Sequence, residues 1–430
     1  MAITARSLAA PARRCAAALA AAVLCAAAAP AAFADSPAPG ASPKLPKGLY
    51  GSTDPQYDGV WRQSLALLAQ DATGVRPADE AVDWLVGQQC ADGAFTAYRA
   101  DPPPSSRLRS NRGDPHQDCD AKTLRDTNQT SAAVQALAAV GGHSDAVRKG
   151  VSWLKSAQND DGGWGSAAGA DSDANSTSVV IGALTATGTK EAALPEKDGK
   201  SPYDALLAFR LGCDVRKADR GAFAFQAKDG KLAANDDATA AAVTGAMGKG
   251  FVVEPGGDAA KKTSCEEAAE DARGAASGGA DHLVSAMAAH GHHLMSAMPG
   301  AEDRPDVGNT ADAVVALAAA GRPDDARQPL EWLRGHSAAW AKQSGPAAYA
   351  QLILAAHATG ADPRDFGGTD LVAKLNATGP KPAAQQNAQG QEAGQKDEGG
   401  ISVWWVVLVG LAVGAGIGFL LSGRRKQNQL

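Results

Sequence analysis

Acidic and amide side chains recur at a fixed spacing along the chain, and they are the first candidates for chemistry. In four ungapped segments an Asp or Asn precedes a Thr by four residues: Asp126–Thr130, Asp173–Thr177, Asn235–Thr239 and Asp306–Thr310. From these segments we select as candidate ligand-binding residues Asp126, Asn128, Asp173, Asn175, Asp237 and Asp306. Carboxylates can exchange protons with a substrate, but the same residue types also cap helices. The segments alone do not separate the two roles.

A second group of candidate residues is rich in His and Met. Four of the eight histidines lie between Asp281 and Met298. Imidazole and thioether groups bind soft metals, and they could also contact a corrinoid. We therefore add His290, His292 and His293 to the candidate ligand contacts, without a dedicated metal site. The alternative is a loop whose side chains pack against neighbouring helices.

The four acidic segments begin copies of one repeated helix. Four residues after each Thr comes Val134, Ile181, Val243 or Val314, and eleven residues after it comes Gly141, Gly188, Gly250 or Gly321. Two degenerate copies start at Gln63 and Tyr349, and we include Tyr349 among the candidate ligand contacts. Capping side chains, an apolar run and a terminal glycine predict six buried helices.

Amphipathic segments alternate with these copies. They are Asp79–Gln89, Asp145–Gln158, Tyr203–Leu211, one near Asp281–Ala289, Asp324–Arg334 and one near Asp370–Leu375. The predicted fold is all-α, an (α/α)6 toroid of six inner and six outer helices, because each repeat then buries its apolar face against two neighbours. An open solenoid is the alternative. The inner helices should run in one direction, so that their capped ends surround one mouth where a ligand would bind.

Two further motifs carry a resemblance to a known family. The segments Gln89–Phe95 and Gln158–Trp164 read Q-x-x-x-G-x-F/W, and Gly221-Ala-Phe223 resembles a worn third copy. They are similar to the QW repeat of squalene cyclases and protein prenyltransferase β-subunits, over roughly residues 57–378. The resemblance implies the α/α toroid shared by terpene cyclases, prenyltransferases, the complement thioester domain and cobalamin carriers of the intrinsic factor type.

The resemblance also implies signatures for catalysis, and these are incomplete. Class II terpene cyclases use D-x-D-D, whereas the nearest string here, Asn235-Asp236-Asp237, lacks the first Asp. If the chain is an enzyme, Asp236 and Asp237 are its candidate acids; the zinc ligands of prenyltransferases are not matched. We therefore favour a toroid that binds a small molecule, a corrinoid or an isoprenoid, without catalysis. The alternatives are an extracytoplasmic cyclase or prenyltransferase and a protein-binding scaffold.

The two ends of the chain predict an exported bacterial protein anchored in the cell membrane. Residues 1–34 are typical of a signal peptide, and residues 35–56 form a leader before the toroid at 57–378. A flexible stalk at 379–400 is followed by an apolar segment at 401–421, long enough to span a membrane, and by a basic tail at 422–430. The ectodomain should lie outside the cell, where it could pass its ligand to a transporter. Glycines spaced by four residues in the membrane segment would allow dimerisation.

Charge and cysteine content bound the partners further. The net charge is −6 and shows no basic stripe, so nucleic-acid binding has no support. Four cysteines remain after signal removal, and an even number in an exported chain predicts two disulfides. Of three pairings we favour Cys90–Cys119 and Cys213–Cys265, because each would close a long loop between consecutive helices.

Overall fold

Helices dominate the part of the chain that the computed structural model describes, residues 46–100, 119–120, 123–257, 271–296 and 303–383. Within these ranges there are thirteen α-helices: α1 Gly59–Ala72, α2 Asp79–Gly87, α3 Thr127–Val140, α4 Ser144–Ser156, α5 Ala174–Ala186, α6 Pro202–Ala208, α7 Asp236–Ala246, α8 Ala272–Ala289, α9 Val307–Ala319, α10 Pro323–His336, α11 Ala338–Ser344, α12 Pro346–Ala358 and α13 Leu371–Asn376. Two 3-10 turns, Glu191–Ala193 and Lys217–Asp219, and a ribbon of two short antiparallel strands, β1 Leu294–Met295 and β2 Pro305–Asp306, complete the elements.

The helices form two concentric layers. The inner layer consists of α1, α3, α5, α7, α9 and α12; each packs against the next, and α12 packs against α1, so the inner ring is closed. The outer layer consists of α2, α4, α6, α8, α10 and α13, each following its inner partner in sequence, with α11 as an additional short helix. The predicted alternation of inner and outer helices is confirmed, and the closed ring excludes the open solenoid.

The acidic segments cap the inner helices. Asp126 accepts a hydrogen bond from the N–H of Gln129 at 2.9 Å, and Asp173 accepts one from the N–H of Ser176 at 2.7 Å. The same contact is made by Asn235 at the start of α7 and by Asp306 at the start of α9. Each satisfies a first-turn N–H that has no partner within the helix. The degenerate copies α1 and α12 have no side-chain cap.

The Q-x-x-x-G-x-F/W motifs join the two layers. The Gln158 side chain donates to the carbonyl oxygens of Gly162 at 2.9 Å and Pro195 at 3.0 Å. The backbone N–H of Trp164 donates to the hydroxyl group of Thr177, the repeated Thr of α5, at 3.0 Å. The first motif repeats these contacts: Gln89 donates to Gly93 and Ala146, and Phe95 donates to Thr130. Gln, Gly and the aromatic residue therefore serve the architecture in this chain.

The glycine of each motif is required by space and by backbone conformation. Gly93 has φ +98°, and a Cβ atom there would lie 2.4 Å from the carbonyl oxygen of Lys149 in α4. Gly162 has φ +86°, and its Cβ would lie 2.4 Å from the carbonyl oxygen of Ser201 at the start of α6. Each glycine thus lets a loop touch the backbone of the next outer helix.

The start of the described chain supplies a copy that the sequence motifs did not reveal. Tyr50 is fully buried, and its N–H donates to the side chain of Gln63 in α1 at 2.9 Å. Gln63 in turn donates to Gly48 and Ala81. Part of the predicted leader therefore packs on the ring in the way that Phe95 and Trp164 do.

One predicted disulfide is confirmed, and the membrane segment falls outside the described residues. Cys90 and Cys119 are bonded, with Cα atoms 5.2 Å apart. Cys213 is also disulfide-bonded, whereas its predicted partner Cys265 lies outside the described residues. No helix among the described residues is long and apolar enough to cross a membrane; the predicted signal, stalk, 401–421 segment and tail lie outside them, apart from the first few stalk residues.

Candidate functional site

A cavity of about 200 Å³, here called the lumen, lies at the centre of the inner ring. All six inner helices contribute to its lining. Its polar wall consists of Asn128, Asn175, Asp237, Asp312 and Gln351, and its apolar wall consists of Trp61, Leu65, Phe251, Val315 and Leu354. Such a mixture of apolar surface and a few convergent polar groups is typical of a small-molecule site.

The lining residues occupy fixed positions in the repeat. Asn128, Asn175 and Asp237 stand two residues before the repeated Thr of their copies. Asp312 stands two residues after Thr310, and Gln351 stands two residues after Tyr349, which replaces the Thr in its copy. Val315 and Leu354 follow three residues later. Positions separated by four and then three residues share one face of a helix. One face of every inner helix therefore points into the lumen.

Hydrogen bonds pair the polar residues across neighbouring helices. The Asn175 Nδ2 donates to Asp237 Oδ2 at 2.7 Å, which joins the first turns of α5 and α7. The Gln351 Nε2 lies 3.2 Å from both carboxylate oxygens of Asp312 and joins α12 to α9. The Oδ1 atoms of Asn128 and Asn175 are buried without a hydrogen-bond partner. Because these contacts join equivalent turns, α5 and α7 run in the same direction, as do α9 and α12.

Asp312 has a strongly shifted acidity. Its pKa is raised to about 7, mainly by burial and also by the charges of Asp237 and Asp306, against the hydrogen bond from Gln351. Its side chain is partly open to the lumen, yet protein surrounds it, so the water it meets is that of the cavity. Burial likewise raises the pKa of Asp237, against the hydrogen bond from Asn175, and Asp306 adds to the rise. Near neutral pH the polar wall therefore holds an exchangeable proton.

A loop closes the end of the lumen at which the inner helices end. This crossing segment, residues 248–257, leaves the C-terminal end of α7 and reaches α12 across the ring, where Glu254 lies 3.4 Å from His357. The Phe251 N–H donates to Gln135 of α3 at 2.9 Å, and the Phe251 ring meets Trp61 of α1 edge to face at 5.3 Å. Phe251 therefore forms the floor of the lumen.

The candidate Asp and Asn residues divide between the lumen and the helix caps. Asp237, Asn128 and Asn175 line the lumen. Asp126, Asp173 and Asp306 do not line it; their carboxylates are occupied by first-turn N–H groups. Burial raises the pKa of Asp126 and Asp173, opposed by the hydrogen bonds that each cap accepts.

Asp236, the other candidate acid, points away from the lumen. Its Oδ1 lies 2.8 Å from the Nε2 of His282, which is buried on the outer helix α8. This contact fixes α7 against α8. The lumen therefore contains only one of the two adjacent aspartates, Asp237.

The His-rich group and Tyr349 also lie away from the lumen. His290 and His292 are exposed, and the His293 ring packs on Trp332 at 4.4 Å while its Nδ1 lies 2.9 Å from the Leu294 carbonyl oxygen. Tyr349 lines a separate surface groove with Arg334 and Phe366. No group of three His, Cys, Asp or Glu residues suited to a metal occurs among the described residues. None of these residues lines the lumen, and His293 is the one of the three histidines that packs on a neighbouring helix.

Several lumen residues were not predicted: Trp61, Gln135, Phe251, Asp312 and Gln351. Asp312 and Gln351 stand two residues after the position of the repeated Thr. A search of that position in every copy would have found them, because it lies on the same helix face as the candidate Asn and Asp residues. Phe251 has no such signal, since it comes from a connection and not from an inner helix.

Comparison with known families gives one match. Residues 126–197 match the family described as Squalene-hopene cyclase C-terminal domain. This segment spans α3 to α5 and contains the complete motif Gln158–Trp164, in agreement with the resemblance seen in the sequence. No curated protein matches the chain.

Solved structures also include similar chains. An ent-copalyl diphosphate synthase from Streptomyces platensis matches with a TM-score of 0.43 and 15% identity. The match covers 70% of this chain and 50% of the synthase, so the chain spans half the length of that enzyme. A protein from Actinoplanes has a TM-score of 0.43 and 14% identity, covering 74% of this chain and 95% of that one. A glycosidase has a TM-score of 0.40 and 13% identity, covering 70% of this chain and 86% of the glycosidase.

Proposed function

We propose that the chain is a membrane-tethered protein whose toroid binds a small molecule in the lumen, outside the cell. The observation that carries the proposal is the lumen itself, in which the carboxylates of Asp237 and Asp312 face Trp61, Leu65 and Phe251. Cavities that combine apolar walls with a few polar groups bind and orient small ligands. The Cys90–Cys119 disulfide supports an extracytoplasmic location.

The size of the lumen restricts the ligand. Its volume of about 200 Å³ lies below the roughly 300–1,000 Å³ of sites for drug-sized molecules. A short hydrocarbon, such as one arm of an isoprenoid, matches both this volume and the apolar wall. A corrinoid macrocycle is too large to enter, so a corrinoid would have to bind outside the lumen. We therefore propose the smaller class of ligand.

The tether follows from the sequence alone. A cleaved signal, a stalk and an apolar segment at 401–421 would hold the ring at the outer membrane surface. A protein held there could pass a bound ligand to a transporter in the same membrane. Protease accessibility of the toroid in intact cells tests this placement, and protection of the ring from added protease would contradict it.

Binding can be tested by filling the lumen. Ala241 lines the cavity, so Ala241→Phe should occupy it and weaken ligand binding at least tenfold. Ala139→Phe is the control, because Ala139 is exposed on α3. Native mass spectrometry of the full chain in nanodiscs, with short alcohols, amines and isoprenols, would measure the bound fraction. Equal binding by wild type and Ala241→Phe would contradict a lumen site; a wild type that binds none of them would favour a protein partner.

Acid catalysis is a second candidate function, because Asp312 lines the lumen together with Trp61 and Phe251 and, with a pKa of about 7, keeps its proton in mildly acidic solution. A neutral carboxyl group facing aromatic rings could protonate an alkene, forming a C–H bond as the O–H and π bonds break. The cation would be stabilised by Trp61 and Phe251 and would then lose a proton or add water. Turnover of a short-chain prenyl diphosphate that Asp312→Asn abolishes, with ligand binding retained, would establish this function; turnover that survives in Asp312→Asn would exclude Asp312 as the acid.

A further inference from the structure

The geometry points to a specific chemical class for the ligand: a short hydrocarbon that carries a protonated amine, whose ammonium group lies between Asp237 and Asp312. This inference rests on the proposed binding function and adds the identity of the polar group. Both carboxylates line the lumen, and neither forms an ion pair with a Lys, Arg or His among the described residues. A buried carboxylate without a cation is costly, and a cationic ligand would supply the missing charge.

The hydrogen-bonding groups of the polar wall favour the same class. Two amide donors of this wall point at its acids, since the Asn175 amide donates to Asp237 and the Gln351 amide donates to Asp312. Two acceptors of the same wall, the Oδ1 atoms of Asn128 and Asn175, are buried without a partner. An ammonium group offers three donors and no acceptor. A ligand with only acceptors would leave these oxygens unpaired.

The charges around the site agree with this polarity. Asp312 of α9 faces Asp237 from α7, Asp306 at the start of its own helix, and the neutral Gln351 from α12. The cation that lines the lumen, Lys249, is exposed just beyond the C-terminal end of α7. Lys249 lies beyond the end of α7 at Ala246, and the charges that shift the pKa of Asp237 and of Asp312 come from other aspartates. Lys249 therefore does not neutralise the polar wall.

Amine binding should be linked to proton release. Asp312, with a pKa of about 7 in the free protein, holds a proton at lower pH and must lose it to pair with an ammonium group. As the pH is increased towards 7, the affinity for the amine should therefore rise by up to tenfold per pH unit, and above pH 7 it should level off. A neutral ligand of the same length should lack this dependence.

The test compares three probes of equal chain length. Hexylammonium, 1-hexanol and hexanoate are titrated calorimetrically against the full chain in nanodiscs, with protein-free nanodiscs as the blank. We expect hexylammonium to bind at least tenfold more tightly than hexanol at pH 7.5, and hexanoate to bind weakest. Asp237→Asn and Asp312→Asn should each remove most of the preference, because they keep the size of the side chain but not its charge. Asp324→Asn is the control, since Asp324 is 88% exposed on α10.

The outcomes separate the inference from the proposed function. A preference for the amine that both lumen variants reduce, and Asp324→Asn does not, supports the inference. Equal binding of hexanol and hexylammonium, blocked by Ala241→Phe, would overturn the amine class while supporting a lumen that binds small molecules. An amine preference that survives in Asp237→Asn and in Asp312→Asn would also overturn the inference. If the wild type binds none of the three probes, both proposals fail.

Discussion

Replacing Asp312 with Asn should change how the stability of the ring depends on pH. The pKa of Asp312 is raised from an ordinary value of 3.8 to about 7 in the folded chain, mainly by burial. A shift of this size, at about 1.4 kcal/mol per unit, corresponds to roughly 4 kcal/mol. Water in the lumen screens part of the charge, so we expect about 2–4 kcal/mol.

The sign follows from proton binding. Below about pH 4 the carboxyl group is protonated in both states and adds no pH dependence. Between pH 4 and 7 the unfolded chain loses this proton while folded Asp312 keeps it, so stability falls as pH rises. Above pH 7 the folded chain carries the full cost of a buried charge. Asn does not titrate, so Asp312→Asn should gain about 2–4 kcal/mol relative to wild type between pH 4.5 and 8.5.

Urea unfolding of the full chain in nanodiscs, followed by tryptophan fluorescence with disulfides intact, measures this difference. Subtracting wild type from variant at each pH removes the contribution of other buried carboxylates such as Asp126 and Asp173. The exposed Asp324→Asn control should give a difference that does not vary with pH. If the difference for Asp312→Asn stays within about 0.5 kcal/mol across this range, or has the opposite sign, the assignment of Asp312 as a group with a raised pKa is refuted.

Three further changes test the architecture and the lumen. Gly93→Ala should cost more than about 2 kcal/mol, because its Cβ would lie 2.4 Å from a carbonyl oxygen of α4. Gly188→Ala, at the end of α5 with φ +85° and open space around the new Cβ, should cost about 1 kcal/mol; thermal unfolding that ranks the two variants equally would contradict the role of the motif glycine. Asp236→Asn should leave hexylammonium affinity unchanged while weakening the contact with His282, and a loss of affinity as large as that of Asp237→Asn would contradict the outward placement of Asp236. Phe251→Ala should deepen the lumen, so that the tightest-binding alkylammonium is longer than in wild type; an unchanged optimum chain length would show that Phe251 is not its floor.

Local side-chain chemistry made the inner ring predictable. The residues that cap α3, α5, α7 and α9 were found by their spacing from a Thr, and all four form the expected cap. The same spacing leads to Asn128, Asn175 and Asp237, which line the lumen because residues two before the Thr lie on its face; their role as ligand contacts stays a prediction. Periodicity and capping act within a few residues, so one sequence suffices to recognise them.

The start of α8 was predicted wrongly, at Asp281, although the helix begins at Ala272. The helical turns between Ala272 and Asp281 that the prediction omits are rich in Ala, Gly and Ser and have no amphipathic pattern. Contacts with other elements explain them: a Cβ on Gly279 would lie 2.6 Å from Val243 of α7, and Gly278 meets the loop at Gly221. Small residues are used here because two backbones approach closely. A search for apolar periodicity reads such a segment as a loop.

The pair Asp236 and Asp237 shows why an acidic string in a repeat protein does not by itself locate a catalytic group. Successive residues of a helix are separated by about 100° around its axis, so two adjacent aspartates at the start of α7 cannot face the same neighbour. Asp236 contacts His282 of the outer layer, and Asp237 contacts Asn175 on the neighbouring inner helix α5. The second acid of the lumen, Asp312, comes instead from α9, five residues after that helix begins at Val307. Acids that act together in such a ring should therefore be sought at equivalent helix faces of different copies, and Asp237 with Asp312 is the pair that satisfies this rule.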